Sequence, residues 1–278
     1  GIYLGVAKRG VTNENIIIKD VICDRNYRQG ISVISARNLL IENVIMKDTG
    51  GTPPAAGIDF EPNHPSEQVV NCVMRNCIAE NNHGCGYVFY LPNLHADSAP
   101  ISVRLENCIS RNGNRTDFAF ITANEKDKAV GGKIEVVNCR FEKSRGAAVS
   151  IARKPADGAA VVFENCVIDS PAQEQAGVAP IVVRSQAGNR RTVGGVDFGT
   201  LTVIDPIDRP VFGYEDWVEG AISVKASKLE SIEGDAKVQI VGDKPIGGDL
   251  TLKPGGAANI SIAGGDITEW GGSVRVQY

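Results

Sequence analysis

The stretch Gly57-Ile58-Asp59-Phe60-Glu61-Pro62-Asn63 alternates apolar and acidic residues, so it sets two carboxyls where they could work together. In an extended strand alternate side chains face opposite ways. Ile58 and Phe60 then point to a core, while Asp59 and Glu61 share the outward face. Pro62 cannot continue a hydrogen-bonded ladder and ends the strand. Residues two apart on a strand have Cα atoms about 6.5–7 Å from each other. That separation suits hydrolysis of a glycosidic bond, which needs one carboxyl held protonated beside another that stays ionised. Asp59 and Glu61 are therefore expected to be an exposed acid–base pair, with Glu61, nearer the histidines that follow, as the acid. The non-catalytic alternatives are a solvated acidic face, or a calcium site using these carboxylates and nearby carbonyl oxygens. No other cofactor or metal is implied.

All three histidines fall between positions 64 and 95. His64 follows the acids directly and joins them as a catalytic candidate. Asn63, His83 and His95 are substrate-binding candidates, in the loops around the next strand. That strand, Tyr87-Val88-Phe89-Tyr90, carries two rings of opposite facing. Tyr87 falls on the inward positions, which leaves Tyr90 to stack against a sugar. Arg153, with Lys126 and Lys154, follows later strands and would reach the same groove. Lyase or epimerase chemistry on uronates would instead draw on His64, His83 or Arg153, because a cation must neutralise the uronate and a base must take its proton.

The elements that must position these residues repeat. Asn-Cys occurs at Asn76-Cys77, Asn107-Cys108, Asn138-Cys139 and Asn165-Cys166, each after an apolar strand. Glycine opens a second strand at Gly1, Gly30, Gly57 and Gly86. A period near thirty residues, rich in strands and poor in helical patterning, marks stacked units that cannot bury their cores alone. The expected fold is all-β: a right-handed parallel β-helix, a solenoid of about seven coils over 1–205, with a C-terminal β cap or degenerate coils over 206–278. Stacking in register puts Ser32 and Val88 beside Asp59, and Ile34 and Tyr90 beside Glu61. The recurring asparagine is expected in an inward turn, bonding its equivalent one coil away. The cysteines are expected to be buried, reduced and structural, since their regular recurrence lacks the short paired spacing of zinc ligands.

Composition narrows the partners. The 278 residues carry a net charge of −4, with 42% hydrophobic and 22% charged residues. There is no basic footprint for nucleic acid, and no apolar run of bilayer-spanning length. The chain opens at Gly1 already in strand pattern, as expected of a fragment of a longer protein.

The Asn-rich coil pattern over about residues 1–205 resembles the right-handed parallel β-helix superfamily of pectate lyases, polygalacturonases and alginate-modifying enzymes. The resemblance implies a carbohydrate-active protein whose partner is a polysaccharide or oligosaccharide, working in a secreted or periplasmic setting. The polygalacturonase signature residues are missing, so that activity is not implied. A non-catalytic glycan-binding or structural β-helix is the remaining alternative.

Overall fold

The computed structural model describes residues 1–122, 129–184, 193–207 and 209–215, together with strands between 222 and 277. Each coil gives one strand to each of three parallel sheets. The groove sheet stacks Ile2–Leu4, Gln29–Val33, Ala56–Phe60, Tyr87–Tyr90, Phe118–Ile121, Val149–Ala152 and Ile181–Arg184. A sheet of longer strands stacks Asn13–Lys19, Ala36–Glu42, Val69–Arg75, Ile101–Glu106, Gly132–Val137 and Ala160–Glu164. A sheet of short strands stacks Ile22–Asp24, Ile45–Lys47, Ile78–Glu80, Ile109–Arg111, Arg140–Glu142 and Cys166–Asp169. Parallel stacking continues with Thr200–Ile204 on Cys166–Asp169 and Pro210–Glu215 on Ile181–Arg184. The last strands change sense: Val274–Gln277 pairs antiparallel with Asp249–Leu252 and Asp266–Ile267.

The expected parallel β-helix is thus the fold, and the reason for its asparagines is conformational. Asp20, Asn43, Asn76, Asn107, Asn138 and Asn165 join long to short strands with φ between 52° and 56°. In that left-handed region most side chains are penalised and asparagine is tolerated. The amide ladder exists, from Asn107 to Asn76 (3.4 Å), Asn76 to Asn43 (3.3 Å) and Asn43 to Asp20 (3.0 Å). It runs along the exposed outside of the turns, however, and not inward as the sequence suggests. Solvated bonds of this length add little to stability. Asn107→Ala should therefore cost about 1–2 kcal/mol through its positive φ, and Asn107→Gly, which loses the same amide, should cost much less. Urea unfolding of the two variants separates the causes, because a stabilising ladder would make glycine at least as harmful as alanine.

The glycines that open groove strands answer a different constraint. A Cβ at Gly57 would sit 2.8 Å from the Ala79 Cβ and 2.8 Å from the Gly86 carbonyl oxygen. Only a bare backbone lets the groove sheet turn so closely against the short-strand sheet.

The core fills the space between the three sheets. Phe60 stacks on Phe89 at 4.8 Å and Phe163 on Phe198 at 5.0 Å. Tyr87 is fully buried, and its hydroxyl donates to the Cys77 and Ile109 carbonyls at 3.1 and 3.0 Å. Val44, Cys77, Cys108, Cys139 and Cys166 follow their turn residues as a buried row of free thiols and one valine. Buried and unpaired in disulfides, these sulfurs pack as small apolar groups. Lys154 does not line the groove. Its side chain is buried, with Nζ 3.1 Å from the Pro155 carbonyl and 6.0 Å from the Phe120 ring centre, and burial lowers its pKa to about 8. Lys126 lies outside the described residues.

Candidate active site

Stacking in register builds the floor of the site. Tyr3, Ser32, Asp59, Val88, Ala119, Ser150 and Val182 form one row on the outer face of the groove sheet. The expected neighbours of Asp59, Ser32 and Val88, are the observed ones. This row faces away from the core, yet most of it is shielded from solvent. Ser32 is 2% exposed and Asp59 1%, while Ala56 and Tyr90 pack on Val88 and Ala119.

The two acids consequently differ, where the alternation suggests equal exposure. The strand ends at Phe60, and Glu61 just beyond it is partly exposed and ion-paired to Arg28 at 3.1 Å. Arg28 enters from the preceding coil, where its Nε also donates to the Pro53 carbonyl at 3.2 Å. Asp59 lies inside this pair. Gln29 Nε2 donates to Asp59 Oδ2 at 2.8 Å, and Oδ1 has no hydrogen-bond partner among the described residues. The neighbouring Ser32 hydroxyl makes no hydrogen bond of ordinary geometry there, but it lies near enough to the carboxyl to favour its charged form. Burial pushes the Asp59 carboxyl up to about 6. The negative charge of Glu61 adds to that, and Ser32, Gln29 and Arg28 partly oppose it. Asp59 thus has the surroundings of a retained proton, while Glu61 is held by Arg28. Because Gln29 already occupies Oδ2, the protonated form presents its O–H at Oδ1, on the unpartnered side.

The family of right-handed β-helix regions matches residues 5–190. The chain belongs to the right-handed β-helix family. No curated protein and no solved structure matches it.

Around the acids, the β-helix divides the other candidates between two banks. His64 and His95 lie in loops that leave the groove sheet, and Asn93 Nδ2 ties those loops by donating to the Pro62 carbonyl at 3.2 Å. His83 lies in a loop that enters the sheet, its amide bonded to the Thr49 carbonyl at 2.8 Å. The histidines therefore do not converge as their closeness in sequence suggests. The His64 Nδ1 lies 2.8 Å from the Ser66 hydroxyl, and the buried Glu67 carboxylate accepts from the Asn63 and His64 amides. These contacts shape the bank and leave the two acids to Arg28 and Gln29. Tyr90, one residue past the Phe89–Phe60 pair, is partly exposed and packs on the outer-face cluster of Ala56, Val88 and Ala119. Arg153 follows the groove strand three coils further on, about 14 Å along the axis at the usual strand spacing.

A calcium ion fits this arrangement poorly. Arg28 already engages Glu61 and Gln29 engages Asp59, and no three His, Cys, Asp or Glu side chains converge among the described residues. Arg28 and Gln29 are the residues that sequence reasoning misses. They precede Gly30 in the previous coil, where later coils carry Ala55-Ala56 and Gly84-Cys85. A polar pair replacing small residues at one repeat position is the signal that could have found them.

Proposed function

We propose that this β-helix is a carbohydrate-active enzyme that hydrolyses a glycosidic bond of a polysaccharide, with Asp59 as proton donor. The observation that carries this reading is the buried Asp59 carboxyl, with its unpartnered Oδ1 on the outer face beside the ion-paired Glu61. Glycoside hydrolysis needs one carboxyl that keeps its proton beside a second carboxyl, and burial raises the Asp59 carboxyl in that way.

The Arg28 side chain is the movable part, since it is half exposed and reaches Glu61 from another coil. Its displacement by substrate opens Oδ1 to the glycosidic oxygen. Asp59 gives its proton to that oxygen as its bond to the anomeric carbon breaks, water attacks that carbon as the Glu61 carboxylate takes the water's proton, and that proton returns through solvent to Asp59. Tyr90 offers a ring face on the outer side of the groove sheet, and Arg153 and the banks carrying Asn63, His64, His83 and His95 contact more distant sugar units. Polysaccharide substrates place this work in a secreted or periplasmic setting.

The test is incubation with a panel of neutral and uronate polymers, following both reducing ends and the ultraviolet absorbance of unsaturated products. Reducing ends without that absorbance are expected, with activity falling as pH rises through about 6, where Asp59 loses its proton. Unsaturated products would replace hydrolysis by lyase chemistry, and no product from any polymer would remove the enzymatic reading.

A further inference from the structure

Ser32 holds the position of Asp59 one coil earlier, paired with it in register on the outer face of the groove sheet. Its neighbour on the other side is Tyr3, so a described strand flanks it on both edges. Ser32 is 2% exposed, which means that these surroundings already enclose its hydroxyl. Serine stands once more in the same row, at Ser150 between Ala119 and Val182, where no carboxyl adjoins it.

Two buried polar groups thus lie side by side on adjacent strands, Ser32 Oγ and Asp59 Oδ1, and neither makes a hydrogen bond of ordinary geometry among the described residues. Buried groups left in that state cost free energy, and a state of the protein that pairs them recovers it. The reaction creates such a state. Once its proton has gone to the glycosidic oxygen, Asp59 is a carboxylate that can only accept, and Gln29 Nε2 at 2.8 Å serves Oδ2 alone. A hydroxyl rotates about its C–O bond, so the Ser32 O–H can turn to Oδ1. A hydrogen bond to an ionised acceptor is roughly twice as strong as one between neutral groups. Ser32 therefore does more for the carboxylate than for the acid. Among the groups that oppose the rise caused by burial it acts most strongly, ahead of Gln29 and Arg28. The charged groups at this carboxyl are Glu61 and Arg28, while the strand on the far side brings only Val88.

We infer that Ser32 is a positioning residue for the acid, a donor held in reserve at Oδ1 for the Asp59 carboxylate that forms as the proton is transferred. The O–H bond of Asp59 breaks, its electron pair stays on Oδ1, and the new O–H bond forms on the glycosidic oxygen. Ser32 keeps its own proton throughout. An interaction that strengthens only as the carboxylate forms lowers the barrier without deepening the ground state. The inference rests on the hydrolase reading for this consequence and goes beyond it in naming what stabilises the spent acid.

Carbon-13 NMR titration of aspartate-labelled protein tests the role without a substrate, with Asp59→Asn identifying the Asp59 signal by removing it. The wild-type midpoint is expected at about 6. Ser32→Ala should raise it by about one pH unit, because the carboxylate loses its second donor. Ser150→Ala should leave it in place. On a polymer that the wild type cleaves, Ser32→Ala should lower turnover at pH 5 by about tenfold or more. It should also carry the alkaline limb of the pH profile upward with the midpoint, which a merely structural loss would not do. A midpoint unmoved or lowered in Ser32→Ala, an equal rise in Ser150→Ala, or full turnover at pH 5 despite a raised midpoint would each overturn the assignment. The two readings fail separately. Cleavage with an unmoved midpoint sinks the role of Ser32 alone. A raised midpoint with no cleavage of any polymer sinks the hydrolase and leaves Ser32 as the donor to the Asp59 carboxylate.

Discussion

Asp59→Asn should lose turnover by about a hundredfold or more, and the same protein should be more stable than the wild type above pH 6. The two effects share one cause. The carboxyl is held at about 6 against an ordinary value of 3.8, chiefly by burial, a difference of about 3 kcal/mol between its protonated and ionised forms. The native state therefore binds this proton more tightly than the unfolded chain does. Its contribution to stability is complete below about pH 4, declines as pH rises, and levels off above about pH 6. Asparagine keeps the shape, accepts from Gln29 and carries no proton to lose. Urea unfolding free energies from pH 3 to pH 8 should show no difference from the wild type at the acid end and a gain of up to about 3 kcal/mol at the alkaline end. Full activity in Asp59→Asn, or destabilisation at pH 8, would remove Asp59 from the role of acid. Glu61→Gln should lower turnover comparably with little change in stability, since its partner Arg28 is solvent-exposed and such pairs contribute about 0–1 kcal/mol.

A second buried acid should also respond to pH and yet leave activity untouched. Asp117 is fully enclosed where its groove strand begins. Its Oδ1 accepts from Ser110 Oγ at 2.5 Å, and its Oδ2 has no partner among the described residues. Burial raises its pKa well above the ordinary carboxylate range, with Ser110 and Ser144 opposing and the charge of Glu142 adding. The sign is the same as for Asp59: stability is complete below the unfolded value and falls as pH rises toward the folded one. The slope of that fall is about 1.4 kcal/mol per pH unit for one proton. Asp117→Asn can still accept from Ser110, so it should flatten the profile by that slope and stabilise the protein progressively from pH 4 upward. Its gain should grow as pH rises above the ordinary carboxylate range, the direction that burial dictates. Chemical denaturation across this range, paired with the glycan assay, distinguishes a core acid from a groove acid. A profile unchanged by Asp117→Asn would mean that the enclosed carboxyl is matched by an equal shift in the unfolded chain.

What the sequence disclosed about these sites follows from what a repeat can encode. Period and glycine position set the register, so the neighbours Ser32, Asp59 and Val88 were legible before any coordinates. Alternation told Ile58 and Phe60 from Asp59 correctly, since facing depends only on the backbone. Exposure does not depend on facing alone. Neighbours such as Ala56 and Tyr90 pack on the outward row, and no periodicity reports how far Arg28 reaches into the next coil. Asp59 therefore reads as exposed and is enclosed, and the retained proton moves from Glu61 to Asp59. The histidines fail for a related reason. Closeness in sequence within one coil spans opposite banks, because the chain travels around the whole cross-section between them. Lys154 reads as a groove residue because lysine is so rarely buried. Arg209 shows the same blind spot. In a stretch that reads only as turn punctuation, it is buried against Asp205 at 2.7 Å and donates to the carbonyls of Pro171, Ala172, Gln175 and Val178.

The acid site draws its parts from just two consecutive coils: Arg28, Gln29 and Ser32 from one, Asp59 and Glu61 from the next. In a stack where each coil meets only its neighbours, such a site behaves as a cassette. Whole periods could be added or deleted from Tyr87 onward without altering any of those five side chains, provided that the aromatic stack inside is rejoined in register. Groove length, and on the proposed reading the number of sugar units held, can therefore evolve or be engineered independently of the acid pair at its head.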